Sequence, residues 1–413
     1  MNCLNKRNAI SVLLLLVLLL THAQPKEGVK IYGGMQIWGR YTNLNPGSTI
    51  GPNESENALD FSIRRYRIGI KAHPYDYLSF NLQLGNNNLS RFQKDQPPKL
   101  LDAYATWHIN DHTNLTAGKH AWTGLSRYAA PSTFSNISSD INYSATPSLN
   151  VHDDFFRRIA IALHGQVGQL DYRAIVAKPF TNSLNPSLTD QATFVNEPSG
   201  FIYSGYVKYQ FFDHESLSSA FSPWSYLGSK KIVSLGGGFY HHDNATQSIQ
   251  LSDTVLHAMN SWAVDVFVDL PVNNKTLTGY IGYLNHDLGP KFIRMVGANN
   301  PADGSTGLGS LNGRGNSFPI TGSGQIIFSQ LGLGIQLKNS HMIQPNISMQ
   351  YSNLELVADD IVLVEGGVSY YLDKHQSKLS ISAQSRPVLT EANDQVKVTD
   401  HKLMLIGQYQ IRF

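Results

Sequence analysis

The chain has little of what most enzymes and soluble domains need. It carries a single cysteine, Cys3, ahead of an apolar run near the N-terminus. If that segment is removed, the remainder has neither disulfides nor a thiolate metal site. Charged residues make up 15% of the chain, against about 25% in soluble domains. After residue 23 no stretch approaches the roughly 18 consecutive apolar residues of a membrane-crossing helix. There is no G-x-S-x-G, no G-x-x-x-x-G-K-[ST] and no H-E-x-x-H, so the common hydrolase, nucleotide and zinc signatures are missing. Basic and acidic residues nearly balance, at 32 and 30. Without Lys6 and Arg7 they would stand at thirty each, which argues against a nucleic-acid partner.

What is present reads differently. Lys6 and Arg7, the run Ile10 to Leu20 and small Ala23 have the order of a secretory signal peptide over 1–23, leaving 24–413 as the exported part. Strict alternation then recurs. In "NSWAVDVFVDLPV", Trp262, Val264, Val266 and Val268 share one face, and Ala263, Asp265, Phe267 and Asp269 the other. "IIFSQLGLGIQL" and "GFIYSGYVKYQFF" repeat the pattern, with glycine-rich polar faces that suggest a water-filled lumen. A soluble sandwich could alternate too. Sixteen such segments beside an export signal instead predict an all-β transmembrane antiparallel barrel of outer-membrane porin type, because lipid tolerates only helices and closed barrels. The predicted strands are 29–42, 59–72, 77–86, 100–109, 114–121, 155–165, 169–180, 199–212, 231–242, 259–270, 275–287, 325–337, 343–354, 361–373, 377–388 and 400–413.

Connectors alternate between short turns and long polar loops, the latter at 43–58, 122–154, 181–198, 243–258 and 288–324. Segment 213–230 breaks that alternation and is expected to be a periplasmic excursion. The glycine-rich run Asp303 to Gly324 reads as a flexible surface loop. The last strand, "LMLIGQYQIRF", alternates to the final residue. It should close against the first strand, with Tyr409, Ile411 and Phe413 forming a candidate signal for the outer-membrane assembly machinery. His241 and His242 with Asp243 could suggest a metal, but neighbouring strand residues point to opposite faces, so no metal or other cofactor is expected.

"RRYRIGIKAHPYDYLSFNLQL" (64–84), "LLDAYATWHINDHTNLTAGKHA" (100–121) and "DDFFRRIAIALHGQVGQLDYRAIV" (153–176) resemble the phosphate-selective porin O and P family, as do "VKYQFFDHES" and "YLGSKKIVSLGGGFYHH". The likeness runs over roughly 29–290. It implies a sixteen-stranded channel, usually a homotrimer, with a loop folded into the pore at the position of 122–154. An ordinary external loop is the plainer reading of that segment. The family's phosphate ladder is not carried over, since no matching series of basic residues can be placed here.

Assigning lumen positions opposite each apolar face gives twelve bases: Lys30, Arg40, Arg65, Arg67, Lys71, Arg158, Arg173, Lys208, Lys378, Arg386, Lys402 and Arg412. The acids are Asp102, Asp171, Asp265, Asp269 and Glu365. Arg127 and Asp140 lie in the candidate constriction. The excess of bases predicts a modest anion preference, carried chiefly by Arg65, Arg67 and Arg158, with Arg40, Lys208 and Arg127 as further pore-lining candidates. Arg64, next to Arg65, requires a bulge to avoid facing lipid. The expected function is passive passage of small hydrophilic solutes and ions across a Gram-negative outer membrane. Its partners would be outer-membrane lipids, the assembly machinery and the permeating solutes. A non-conducting receptor, adhesin or scaffold is the alternative, and an outer-membrane hydrolase stands behind it.

Overall fold

The computed structural model describes residues 27–186, 188–307 and 309–413; the signal peptide expected over 1–23 lies outside them. Among the described residues, sixteen long antiparallel strands close into one sheet, which the two-residue strand Thr193–Phe194 joins at its margin. In chain order they are β1 (Glu27–Asn43), β2 (Asn57–Tyr75), β3 (Leu78–Leu89), β4 (Lys99–Asn110), β5 (Thr113–His120), β6 (Arg158–Val167), β7 (Leu170–Lys178) and β8 (Ile202–Gln210). Then follow β9 (Ile232–Gln250), β10 (Asp253–Val272), β11 (Lys275–Asp287), β12 (Gly324–Gln336), β13 (Met342–Leu354), β14 (Ile361–Asp373), β15 (Ser377–Ala392) and β16 (Gln395–Arg412). Each pairs with its sequence neighbour, and β16 closes on β1 from Gly34↔Arg412 to Thr42↔Met404. Closure leaves no open edge, which is what a sheet in hydrocarbon requires.

Burial is inverted relative to a soluble protein. Leu59, Phe61 and Ile381 are 71%, 76% and 71% exposed, whereas Arg40, Lys208, Asp265 and Gln410 are buried. The alternation thus points its oily parity outward and its polar parity into the barrel.

Two expected boundaries move. Residues 243–258 are not a long loop, because β9 and β10 continue pairing to Gln250↔Asp253 after a bulge between His242 and Thr246. β15 and β16 likewise pair on to Ala392↔Gln395. Both extensions mix polar residues with apolar ones such as Ile249, Leu256, Leu389 and Val398, so they lack the strict alternation that marks the lower strands. Their inner faces are covered by other connectors rather than by lipid or water, with Ala245, Thr246 and Leu389 at 0% exposure. The run 303–324 is also folded. Phe318–Gly322 pairs with Ile293–Val296, Gly304–Ser305 pairs with Ser48–Ile50, and Asn45 donates to the Gly313 and Ser317 carbonyls at 2.9 and 2.7 Å.

Candidate functional site: a lumen with a filled and an open side

Residues 121–157, between β5 and β6, run around the inside of the barrel. They first track the wall of β6 to β10. Trp122 stacks on His164 at 3.7 Å, Gly124 N–H donates to Ser204 Oγ and Leu125 N–H to the Gly205 carbonyl. The approach is so close that a Cβ on Gly124 would lie 2.2 Å from Gly205 N, and one on Gly238 2.3 Å from Gly205 O. The glycine-rich inner faces therefore make room for packed backbone rather than for water, contrary to the sequence expectation.

The segment then crosses to the far wall. Lys378 Nζ donates to the Asn136 carbonyl, Ser139 N–H to Glu365 Oε1 and Asn142 to Gln350. Asp140 receives both Arg64 (Nη2, 3.0 Å) and Arg65. A register shift between Gln36 and Ile37 on β1 leaves Arg64 bulged out of the β2 ladder, so both adjacent arginines turn inward. Burial alone would raise the Asp140 carboxyl, but Arg64 and then Arg65 hold it down at about 2.

Segment 211–231, between β8 and β9, turns back into the barrel from the opposite end, that of the short turns, and meets the first segment inside. Its anchors are acidic. Arg127 forks onto both carboxylate oxygens of Glu215, and Lys208 Nζ donates to Glu215 Oε2 at 2.5 Å. Burial would raise the Glu215 carboxyl, yet Arg127 and Lys208 keep it well below the ordinary carboxylate range. Asp269 accepts from Ser225 Oγ (2.8 Å) and Tyr226 N–H (3.0 Å). Asp265 accepts from Arg127 N–H (2.7 Å) and from Tyr206. Trp224, 0% exposed, stacks on Tyr128 at 3.6 Å, and Ser222 exchanges backbone bonds with Ala130 and Ser132. The two inward segments thus close on each other and fill the β6 to β11 side.

The β1 to β4 side stays open. A cavity of about 960 Å3 extends from Lys30, Lys374 and Arg412 at the short-turn rim to Val296–Ala298 of the long connector between β11 and β12. Arg64, Arg65, Arg67, Lys71 and Arg157 also line it, against Asp102 and Asp373. Arg157 is fixed by Asp102 (3.2 and 3.1 Å), while Arg67 donates only to the Tyr66 and Asn86 carbonyls and to Asn87.

Of the six basic candidates, only Arg65 and Arg67 line this cavity. Arg40 is bound to Asp60 (3.0 Å), Arg158 to Asp153 (3.1 Å), Lys208 to Asp171 and Glu215, and Arg127 to Glu215. Sequence reasoning missed Glu215, Asp60, Asp153 and Arg157. A usable signal was the aromatic content of the supposed turn, Phe221, Trp224 and Tyr226, unusual for a segment left in water. His241 faces outward onto Asn260, whereas His242 is buried against His152. At the seam, Phe413 and Gly33 exchange backbone hydrogen bonds, and a Cβ on Gly33 would meet the Phe413 ring at 2.8 Å.

The family described as phosphate-selective porin O and P matches residues 29–127, a shorter stretch than the 29–290 over which the resemblance was read. No curated protein matches the chain in sequence. Among solved structures, OprB of Pseudomonas putida superposes with a TM-score of 0.56 at 10% identity, over 94% of each chain. The outer-membrane channel DcaP of Acinetobacter baumannii gives 0.51 at 12% identity, over 93% of this chain and 97% of that one. The anion-selective porin from Comamonas acidovorans gives 0.51 at 10%, over 94% and 99%. At such identities the likeness establishes the fold, a sixteen-stranded outer-membrane barrel.

Proposed function

We propose that the protein is a porin, giving small hydrophilic solutes and ions a passive route across the outer membrane of a Gram-negative cell. The observation that carries this reading is the open, base-lined cavity inside a closed barrel. Segments 122–154 and 213–230 would set the constriction, the second entering from the periplasmic side. A modest anion preference follows, with Arg67 the strongest contributor because no carboxylate is paired with it. Export through the 1–23 signal, assembly through Tyr409, Ile411 and Phe413, contact with outer-membrane lipids and a homotrimeric state belong to the same proposal. No catalytic role is assigned to the chain.

A non-conducting barrel is favoured by one specific observation, the extent to which the two inward segments fill the lumen. Single-channel recording of purified protein in planar bilayers separates the readings. Ohmic conductance with a reversal potential on the anion side in a salt gradient supports the porin. Silence at every voltage supports the scaffold.

A further inference from the structure

We propose that the open cavity is a selective chamber for ring-bearing carboxylates, rather than a plain aqueous passage for small inorganic anions. The inference rests on the porin reading and narrows its solute.

One wall is basic, with Arg65, Arg67 and Arg157. The inward segments supply an aromatic wall to the same cavity, with Phe134, Phe155 and Phe221. These three rings are half-exposed, whereas the rings that hold the segments together, Trp224 and Tyr128, are buried. A ring present only for packing would be covered like Trp224. The half-exposed rings instead leave surface to whatever enters.

Arginine and ring already meet here. The Arg157 guanidinium lies 4.8 Å from the Phe221 centroid, and Asp102, Gln83 and the Phe155 carbonyl fix its orientation. A hydrated inorganic anion can use only the basic wall, and apolar ring faces do nothing to replace its hydration. A planar ring bearing a carboxylate uses both walls, its charge toward Arg67 or Arg65 and its face against Phe221 or Phe155. The volume of about 960 Å3 also suits a small organic molecule, since such sites span about 300–1,000 Å3.

The test compares benzoate with acetate, which carry the same charge, as blockers of chloride current through single channels. Benzoate should bind about tenfold more tightly, the order expected for a desolvated ring contact. Phe221→Ala should remove the difference between the two blockers. Phe221→Leu, which keeps apolar packing, should do the same if the aromatic face is the agent. Ligand-observed NMR on detergent-solubilised protein reads the same binding without requiring conductance. Equal binding of benzoate and acetate in both measurements would overturn the chamber, even in an anion-selective channel. Tight benzoate binding to a non-conducting or cation-selective barrel would keep the chamber and overturn the porin reading.

Discussion

On the β7 to β11 side of the lumen, Asp171, Asp265 and Asp269 each hold a base, a phenol or a backbone amide, several of them from the inward segments. On the β1 to β4 side, Lys30, Arg67, Lys71 and Arg412 line the cavity with no carboxylate paired to them among the described residues. Both sides obey the same inward parity, yet only the second presents charge to a permeating ion. Parity decides which face a side chain occupies. Contact with the inward segments decides whether its charge is available. A count of twelve bases against five acids treats all of them as available, although Arg40, Arg158 and Lys208 are ion-paired.

Removing the filling segment should break the contrast most strongly. Replacing 214–229 with a short turn would take Glu215 from Arg127 and Lys208, and Ser225 and Tyr226 from Asp269, and conductance should rise severalfold in planar bilayers. Unchanged conductance would mean that the open side already carries all the current. Glu215→Gln tests the same latch at one residue. It leaves Arg127 buried without its paired carboxylate, while Lys208 keeps Asp171, a loss of about 3–5 kcal/mol for a buried pair broken on one side. A lowered denaturation midpoint with noisier single-channel current is expected. A midpoint equal to wild type would show that the latch holds nothing.

The strands were legible because each alternates across a boundary between lipid and lumen, and all sixteen appear near their expected positions. The tips of β9–β10 and β15–β16 were not, because there one face meets other connectors instead of lipid, as at Thr246 with Leu288 and Leu389 with Asn312, and no oily parity is kept. The adjacency of Arg64 and Arg65 was legible as a problem, and the bulge that resolves it brings both to Asp140. That Asp140, 75 residues from Arg65, is the common partner could not be read from any local pattern. Glu215 was hidden in the same way, since its meaning depends on Arg127 in another inward segment.

On the open side, Arg67→Gln should shift the reversal potential toward the cation side more than Arg65→Gln does. Arg65 already shares Asp140, so its loss also releases a carboxylate charge, whereas Arg67 has only carbonyl and amide partners. Equal shifts would show that Asp140 does not neutralise its neighbours. Acid offers a finer probe. The Asp140 carboxyl lies at about 2 against an ordinary 3.8. Its contribution is therefore fully present above pH 3.8 and fades as pH falls toward about 2. Selectivity set by this cluster should hold from neutral pH to about pH 4 and change only below. A transition near pH 6 in reversal-potential measurements would point to another group.

Arg158→Gln should have the smallest effect on permeation. Its position at the start of β6 is inward by parity, and on that ground alone it ranks with Arg65 and Arg67. Its surroundings differ. Nη2 donates to Ser148 Oγ at 2.8 Å and to Asp153 Oδ2 at 3.1 Å, beneath the inward segment and away from the cavity. The paired carboxylate cancels its field at any distance beyond the pair, and the remaining donors to Asp153 are Ser148 and the amides of Asn150 and Phe156. Glutamine would weaken the anchor of the inward segment while scarcely altering the potential felt by an ion on the open side. The reversal potential should therefore match wild type within error, with at most a lower denaturation midpoint. A shift as large as that of Arg67→Gln would mean that ions pass on the β6 side, and the division of the lumen into a filled and an open half would have to be abandoned.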